Sequence, residues 1–440
     1  MRAGAGTDSS PKGSGAAGTW LTCANRSSPE CTRLNAVELA AQLWVAGLAW
    51  GAMRLLGGVT TAAAASISAL ALAACGSPAV PTPAAPAAAL RGAPAHQQRS
   101  AKAGPDIAHA RMLRSGELAA GNPAGHAAVP AAARAVNTSH PDHVIGNGTP
   151  AGCTSAAVVS AVAQGGVITF SCGPAPVTIV MHATAKVRNT STQVVIDGGG
   201  KVTLTGASVR RILYMDTCDK RQVWTTSHCD DQATPRLTVQ NITLAHGNST
   251  GDLFDGGGGG AIFARGGQLK VVNSAFVGNR CDRTGPDLGG AAIRALSEYR
   301  NRPVYITRST FIGGYCSNGG ALSSIGVSWT VLNSVMMHNK AIGVGANPAR
   351  HGTPGGGSGG AIYNDGDKYR LRISGTVIKY NHAREGGGAI FFVSDNLTGT
   401  LTIEHSTLHD NPNAGFYTAG YPGIFFLGAG HPVVIDSTIS

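Results

Sequence analysis

The chain is poor in large aromatic residues and in charge. It has 10 Phe, 9 Tyr and 5 Trp among 440 residues, and charged residues make up 13% of it. A core built on large aromatic side chains is therefore not expected, and aliphatic and small residues have to supply it. The 62 glycines point to many turns, and a repeat fold can extend over hundreds of residues as one unit.

The sequence also lacks a Cys-x-x-Cys motif and any run of Lys and Arg interleaved with aromatic residues. The first absence argues against a zinc or dithiol redox site, and the second argues against nucleic-acid binding. The formal net charge is +11, but from residue 151 onward 23 Lys and Arg stand against 17 Asp and Glu. This excess suits an anionic partner such as an acidic polysaccharide, although solubility is the simpler reason for it.

Residues 53–75 follow the pattern of a signal peptide, with a basic start, a long uncharged run and small residues at the end. The end, Leu72-Ala73-Ala74-Cys75, resembles the lipobox of bacterial lipoproteins, in which the cysteine is lipidated and becomes the new amino terminus. The resemblance implies an exported protein, secreted or held at the cell surface through a lipid anchor on Cys75. Translation is then expected to start at Met53, with residues 1–52 an upstream extension. A transmembrane helix and an Ala-rich linker are the alternative interpretations of this run.

Residues 76–150 are dominated by Ala, Pro, Gly and Ser and show no apolar period, which predicts a disordered linker. The character changes at residue 151. Residues 154–163 place apolar side chains at helical spacing, and Gly165-Gly166 ends the pattern before a strand begins. We therefore expect one domain over residues 151–440, opening with a short helix that caps the first coil of a β-structure.

The rest of the domain repeats one pattern. Period-2 alternation predicts strands in which Leu269 and Val271 point inward and Lys270 outward, and the pair Asn273-Ser274 marks a bend before Phe276 turns inward again. Such strands, stacked coil upon coil, form an all-β right-handed parallel β-helix. Seven segments carry the pattern: residues 237–244, 269–276, 304–311, 329–336, 371–378, 401–408 and 433–439.

Two further markers recur with the repeat. A Gly-Gly-Ala corner returns at intervals near thirty residues, with one longer interval that indicates an inserted loop around residues 347–357. An asparagine follows most copies and is replaced once, by Gly314. Stacked about 4.8 Å apart, these asparagines would hydrogen-bond along the stack as a ladder. The predicted ladder residues are Asn248, Asn279, Asn339, Asn381 and Asn411.

Six cysteines lie in the presumed exported domain, and an even number in an exported chain predicts disulfides. Proximity pairs Cys153 with Cys172 and Cys218 with Cys229. The remaining pair, Cys281 and Cys316, occupies equivalent positions on adjacent coils, each two residues after a ladder position, and this spacing suits a disulfide.

The paired signals Gly259-Gly260-Ala261-Ile262 and Phe276-Val-Gly-Asn279 resemble the repeat of chlamydial polymorphic outer-membrane proteins and related right-handed β-helix proteins of the pectin-lyase-like superfamily. The resemblance covers about residues 152–440. It is specific for fold and weak for function, since the same scaffold serves lyases, hydrolases and adhesins. No carboxy-terminal membrane-barrel segment like theirs follows, and the chain stops where another asparagine is due, so we expect a truncated last coil.

Enzymes of this superfamily use calcium with a base, or paired aspartates, but the hydrolase patterns Asn-Thr-Asp, Gly-His-Gly and Arg-Ile-Lys do not occur here. The pair Asp230-Asp231 is interpreted as a solvated turn. The calcium candidates lie in the loops before two successive Gly-Gly-Ala corners, with Arg265 or Arg294 as a nearby base. These candidates are Asp252, Asp255, Asp282 and Asp287.

Two hypotheses follow. In the preferred one, the chain is a monomeric binding or adhesive scaffold for polysaccharide or another surface partner, with no cofactor and no catalytic residues. In the other, it is a polysaccharide lyase or glycoside hydrolase acting on acidic glycans, and calcium is the one cofactor it would use.

Overall fold

The computed structural model describes residues 120–223, 225–253 and 257–440. The upstream extension, the signal-like run with Cys75 and residues 76–119 of the expected linker lie outside the described residues. In the described part, no helix is long and apolar enough to cross a membrane.

Parallel β-structure dominates the described residues. One α-helix, α1 (Ser155–Gln164), and five short 3-10 segments accompany the strands; the 3-10 segments are Ala131–Ala133, Pro150–Gly152, Lys220–Gln222, Cys229–Asp231 and Tyr299–Asn301. The strands are β1 (His143–Ile145), β2 (Gly166–Phe170), β3 (Val177–Val180), β4 (Ala185–Lys186), β5 (Gln193–Thr205), β6 (Leu213–Asp216), β7 (Arg236–Ala245), β8 (Ile262–Arg265), β9 (Gln268–Val272), β10 (Ala275–Val277), β11 (Ile293–Leu296), β12 (Val304–Thr307), β13 (Thr310–Ile312), β14 (Tyr315–Cys316), β15 (Leu322–Ile325), β16 (Trp329–Leu332), β17 (Val335–Met337), β18 (Lys340–Ala341), β19 (Ile362–Asp365), β20 (Arg370–Ser374), β21 (Val377–Lys379), β22 (His382–Ala383), β23 (Ile390–Val393), β24 (Thr400–Glu404), β25 (Thr407–His409), β26 (Ile424–Leu427), β27 (Val433–Ile435) and β28 (Thr438–Ile439).

The described strands form three parallel sheets. Sheet A has 17 strands, sheet B runs in the order β26-β23-β19-β15-β11-β8-β6-β4, and sheet C is β14-β18-β22. Along the chain, a strand of sheet B is followed by strands of sheet A, and each strand pairs with its equivalent in the next repeat. The prediction of an all-β, solenoid-like fold built from stacked parallel strands is confirmed.

The repeated segments lie in the predicted register and build the core. Leu237 aligns with Leu269, and Trp329 aligns with both Val304 and Leu371. These side chains are buried in one continuous apolar cluster, in which the rings of Phe276 and Phe311 stack at 4.6 Å. The side chains between them along each strand point outward, as period-2 alternation requires.

A left-handed bend divides sheet A into two halves. One residue per coil takes a positive φ there, and most of these residues are Asn, Asp or Gly, which adopt this conformation at low cost. The bend residues are Asn241, Asn273, Arg308, Asn333, Gly375, His405 and Asp436. The bend predicted at Asn273-Ser274 is therefore present in every one of these coils.

The Gly-Gly-Ala corners also contain a left-handed residue. Gly259, Gly319 and Gly359 have φ of +65°, +52° and +72°, and a Cβ on Gly359 would overlap the carbonyl oxygen of Ile362. In the corner Gly289-Gly290-Ala291, the residue equivalent to Gly259 and Gly319 is Gly290. Its N–H donates to the carbonyl of Gly319, and its own carbonyl accepts from the N–H of Gly259. Glycine is required here by both the conformation and the close approach of the next residues.

Buried asparagines link successive coils. The Oδ1 of Asn381 accepts from the N–H of Asn339, and its Nδ2 donates to the carbonyl of Met336 in the same preceding coil. Asn411 makes the same pair of bonds to Asn381 and Ile378, at 3.1 and 2.8 Å. Asn279 and Asn339 repeat the arrangement toward their own preceding coils. Each side chain thus satisfies one donor and one acceptor that the corner would otherwise leave unpaired.

The assignment of Asn248 to this ladder is wrong. The residue that donates its N–H to Asn279 is Gly247, and Asn248 instead bridges to Arg280 and donates its side chain to the carbonyl of Ser208. The coil reaches its corner one residue earlier than the motif suggests, so that the asparagine falls outside the stack.

The structure contains the three disulfides that the sequence predicts. The Cα atoms are 5.7 Å apart in Cys153–Cys172, 5.0 Å in Cys218–Cys229 and 4.8 Å in Cys281–Cys316. The last bridge joins adjacent coils and is fully buried, so it fixes their register at one corner.

The expected amino-terminal helix is α1. The Thr154 side chain accepts from the N–H of Ala157 and caps the helix, and Gly165 ends it with φ +83°. Val158, Ala161 and Val162 are buried in the common core, so α1 covers apolar residues of the first coil.

The expected disordered linker ends earlier than residue 150. Residues 120–142 lie against sheet A, and β1 pairs with β2 as the first strand of that sheet. Composition alone misleads here because the segment contributes few apolar side chains. Backbone and amide hydrogen bonds hold it, and these leave no compositional signal.

Replacing Asn381 with Ala is expected to lower the free energy of unfolding by about 2 kcal/mol or more, because a buried N–H and a buried carbonyl lose their partner. Urea unfolding followed by circular dichroism measures the change. The matched control is Asn248→Ala, which removes the same group outside the ladder. Equal losses in the two variants would contradict the ladder's role.

Candidate functional site

The predicted calcium ligands that the structure describes do not form a three-residue metal-binding group. Asp252 pairs with Arg211, whose side chain is 4% exposed and lies over the rings of Tyr214 and Phe263. Arg211 also donates to the carbonyls of Gly258 and Gly259. The carboxylate of Asp252 therefore neutralises a buried cation of the protein.

Asp282 and Asp287 occupy separate surroundings. Asp282 accepts from the N–H of Gly251 at 2.9 Å, and its other oxygen is buried without a partner. Asp255 lies outside the described residues. Among the described carboxylates, Asp252, Asp282 and Asp287 form no group whose oxygens all lie within 4.8 Å of one another.

One group in the described part does meet that distance, and it comprises Cys218, Cys229 and Asp230. The two cysteines are joined in a disulfide and have no thiolate to offer a metal. Asp230 accepts from Nε of Arg265 at 2.9 Å, which agrees with a solvated acidic turn.

Asp287 instead belongs to a carboxylate cluster on the outer side of sheet B, defined as Asp287, Asn347, Tyr363 and Asp365. Nδ2 of Asn347 lies 3.2 Å from Asp287, 2.6 Å from the hydroxyl of Tyr363 and 2.5 Å from Asp365, so its two hydrogens are shared among three acceptors. The Asp287 and Asp365 carboxylates are therefore close together, because an oxygen of each lies within hydrogen-bond distance of the same nitrogen. The Tyr363 hydroxyl donates to Asp365 at 2.9 Å.

Three elements bring this cluster together. Asp287 precedes β11, Asn347 lies in the inserted loop between β18 and β19, and Tyr363 and Asp365 belong to β19. Tyr363 is held by rings in register, since it stacks on Phe391 at 4.9 Å and Phe391 stacks on Phe425. Its ring is buried, whereas Asp287 is exposed and Asp365 is partly exposed. The cluster is therefore an accessible surface site with a rigid floor.

The surroundings of the cluster disfavour the ionised form of Asp365. Burial, with the charge of Asp287 adding to it, raises the pKa of Asp365 above its ordinary value, although hydrogen bonds from Tyr363 and Gly366 oppose this. Burial also raises the pKa of Tyr363. Arg294, in β11 two strands from β19 in sheet B, is 1% exposed, donates to Ser323 and pairs with no carboxylate in the described part.

The sequence missed Asp365 and Asn347 as site residues. Both fall outside the repeat signals, and the one clue was the longer interval between Gly-Gly-Ala corners, which marks the inserted loop. The sequence identified Asp287 as a candidate but not its contacts with Asn347 and Asp365. Coil spacing predicts which residues are neighbours along the stack, but it does not predict the path of an inserted loop that folds over the stack.

A second surface feature is a basic ridge beside the asparagine ladder. It combines stacked rings with cations and consists of His338, Lys340, Lys379, Tyr380, His382, Arg384 and His409. His338 and Tyr380 occupy equivalent left-handed positions at the ends of β17 and β21, and Lys340 aligns with His382 in sheet C.

The rings of the ridge form a column along the stack. The ring centroids of His338 and Tyr380 are 5.3 Å apart and nearly parallel, and His409 meets Tyr380 edge-on, also at 5.3 Å. Lys379 lies 5.4 Å over the Tyr380 ring. Tyr380 is 44% exposed, which leaves much of its ring free for a ligand.

The ridge carries a positive field. Burial, followed by the charges of Lys340 and Arg384, lowers the pKa of His382. None of Lys340, Lys379 and Arg384 enters an ion pair with a carboxylate of the described residues. An anionic ligand would therefore find cations that are not already neutralised.

No protein-family model, curated protein or solved structure matches this chain.

Replacing Asp287 with Asn is expected to lower the pKa of Asp365, because the substitution removes the neighbouring negative charge that raises it. Carboxyl carbon NMR titration measures the shift. Asp282→Asn is the matched control, since that side chain lies on the same loop and bonds to Gly251. An unchanged Asp365 pKa in the Asp287 variant would contradict the coupling.

Proposed function

We propose that the chain is an exported, right-handed parallel β-helix that acts as a monomeric binding scaffold for acidic polysaccharide. In this proposal a lipid on Cys75 anchors it to a membrane, and the region upstream of residue 120 is the tether. The intact disulfides support export, because such bonds persist in oxidising compartments. The stacked parallel repeats support the β-helix.

The basic ridge is the observation that carries the proposal. Its rings and cations lie on three successive coils about 4.8 Å apart, so a linear polymer lying along the stack meets a ring or a cation at each coil. The exposed part of the Tyr380 ring offers an apolar contact to a sugar, and Lys340 and Lys379 offer charge partners for uronic-acid carboxylates. Affinity then accumulates over several weak contacts.

The double variant Lys340→Gln/Lys379→Gln is expected to bind polygalacturonate oligosaccharides about tenfold more weakly, since two exposed charge contacts together contribute about 1.4 kcal/mol. Isothermal titration calorimetry at two salt concentrations measures this, and binding should weaken with salt.

The control Lys201→Gln/Lys368→Gln makes the same change of charge at exposed positions away from the ridge. If both double variants lose affinity equally, the net charge rather than the ridge binds the polymer. Equally tight binding of a neutral glucan would count against recognition of acidic groups.

The carboxylate cluster favours a second candidate, a glycoside hydrolase. Asp365, with its raised pKa, suits a general acid, and Asp287 lies on the exposed side where it can act as base or nucleophile. Tyr363 and Asn347 hold the two carboxylates in a fixed relation.

If the chain is a glycoside hydrolase, Asp365→Asn is expected to lower the turnover rate on its glycan substrate at least a hundredfold, since general acid catalysis typically contributes a rate factor of about 10²–10⁴. Acidic and neutral glycans are screened with and without calcium, and both reducing ends and unsaturated products are followed. Asp282→Asn is the control that should retain full activity. Activity that survives in Asp365→Asn would show that the carboxylate cluster is not its source. If no glycan is turned over, only the scaffold proposal remains.

A further inference from the structure

Residues 121–142, here called the strap, run along the outside of sheet A in the left-handed bend. The strap begins at Gly121, beside Arg308 and Thr310, and reaches Asn333 and Gly375 in the next two coils. From residue 127 it runs along the stack against the order of the coils and ends beside Val167, next to the first strand pair of the sheet.

The first part of the strap, residues 121–127, is held by hydrogen bonds to three coils. Asn333 accepts from the N–H of Ala127 at 2.8 Å and donates to its carbonyl at 2.9 Å, so that its amide imitates a strand partner. The carbonyl of Asn333 accepts from Asn122, and the Asn122 side chain donates to Gly375. The N–H of Gly121 donates to the hydroxyl of Thr310.

Residues 134–138, farther along the strap, are also held by hydrogen bonds to the coils. Gln240 makes the same reciprocal pair of bonds with Val136, at 2.8 and 3.0 Å. The Lys270 ammonium donates to the carbonyl of Arg134 at 2.7 Å, and burial lowers the pKa of this lysine. Thr138 donates to Asp197. The strap thus bonds to residues of seven successive coils, from Val167 in β2 to Gly375 after β20.

The path of the strap determines where the chain upstream of residue 121 leaves the coils. Between the coils of β2 and β20 the strap covers about 30 Å at about 4.8 Å per coil. The exit at Gly121 lies beside Thr310 and the bend residue Asn333, which begins the turn into β17. That strand is followed by His338, so Asn333 is about 15 Å along the strand from the ring column of the basic ridge.

We propose that the strap is a mechanical clasp that carries load from the tether directly to the coils of the ridge. In a solenoid each coil contacts only its neighbours, so tension on the first coil would peel the coils off one after another. With the strap in place, tension meets the bonds to Thr310, Asn333 and Gly375 first. The first coil carries load only after the strap is released.

The use of this clasp in adhesion rests on the proposed glycan-binding function, but the clasp itself can be tested without a ligand. The full chain is stretched in optical tweezers between a handle at its amino terminus and a handle on a cysteine introduced by Tyr417→Cys, an exposed position. The expected first event releases about twenty residues, or about 70 Å of contour length, before any coil unfolds.

A disulfide across the strap identifies this event. A Cβ on Gly375 would lie 3.3 Å from the Cβ of Ala127, within reach of a bridge, and the left-handed backbone carries side chains at the equivalent residues Arg308 and His405. The same Cβ would crowd Oδ1 of Asn333, so the Asn333 side chain has to turn aside when the bridge forms. In the Ala127→Cys/Gly375→Cys variant the first step is expected to disappear under oxidising conditions and to return on reduction. Ala128→Cys/Gly375→Cys is the control, because Ala128 faces solvent and should not form the bridge.

A second pair of variants keeps the test independent of crosslinking. Asn333→Gly removes the amide bonds to Ala127 and preserves the left-handed backbone, so it should lower the force of the first event. Asn273→Gly makes the same change in an earlier coil, where the side chain bonds to Asn241 rather than to the strap. Equal rupture forces in these two variants, or a first event in which coils unfold, would overturn the proposal. Loss of glycan binding with an intact first step would instead count against the ridge alone.

Discussion

The hydrogen bonding of each coil to the next is the constraint on which the rest of this structure depends. Parallel strands satisfy their backbone groups only through neighbours on either side, so every corner must also bring its donors and acceptors into register. The buried asparagines do this where the backbone turns, each taking one N–H and one carbonyl of the preceding coil. Left-handed glycines and asparagines then allow the turns themselves.

This register arranges the surface into columns. Side chains at equivalent positions stand about 4.8 Å apart, so a column of rings or of cations arises wherever a few coils carry suitable residues. His338 and Tyr380 are one such pair on the outside, and His409, one position out of register, meets the Tyr380 ring edge-on. Tyr363, Phe391 and Phe425 form a column on sheet B, where the buried rings support Asp365 from below. The scaffold thus supplies periodic surfaces without any change in its core.

The two features with the most distinctive chemistry are departures from the repeat. The inserted loop carries Asn347 across the outer side of sheet B to join Asp287 with Asp365. The strap crosses the outer side of sheet A and is held mainly by amides and backbone groups. Both use polar bonds to cover a surface that the coils have already formed, and both leave the apolar core unchanged.

The sequence by itself determined the strands, the bends, the corners and the three disulfides, because each follows from local pattern: alternation at Leu269 and Val271, the Asn273-Ser274 bend, and equal spacing of Cys281 and Cys316. It placed Asn248 one residue out, since motif spacing cannot tell which residue reaches the corner. Only the tertiary structure decided the partners of Asp287 and the path of residues 121–142. Those contacts join positions far apart in the chain through single hydrogen bonds, and a single hydrogen bond leaves no periodic signal in the sequence.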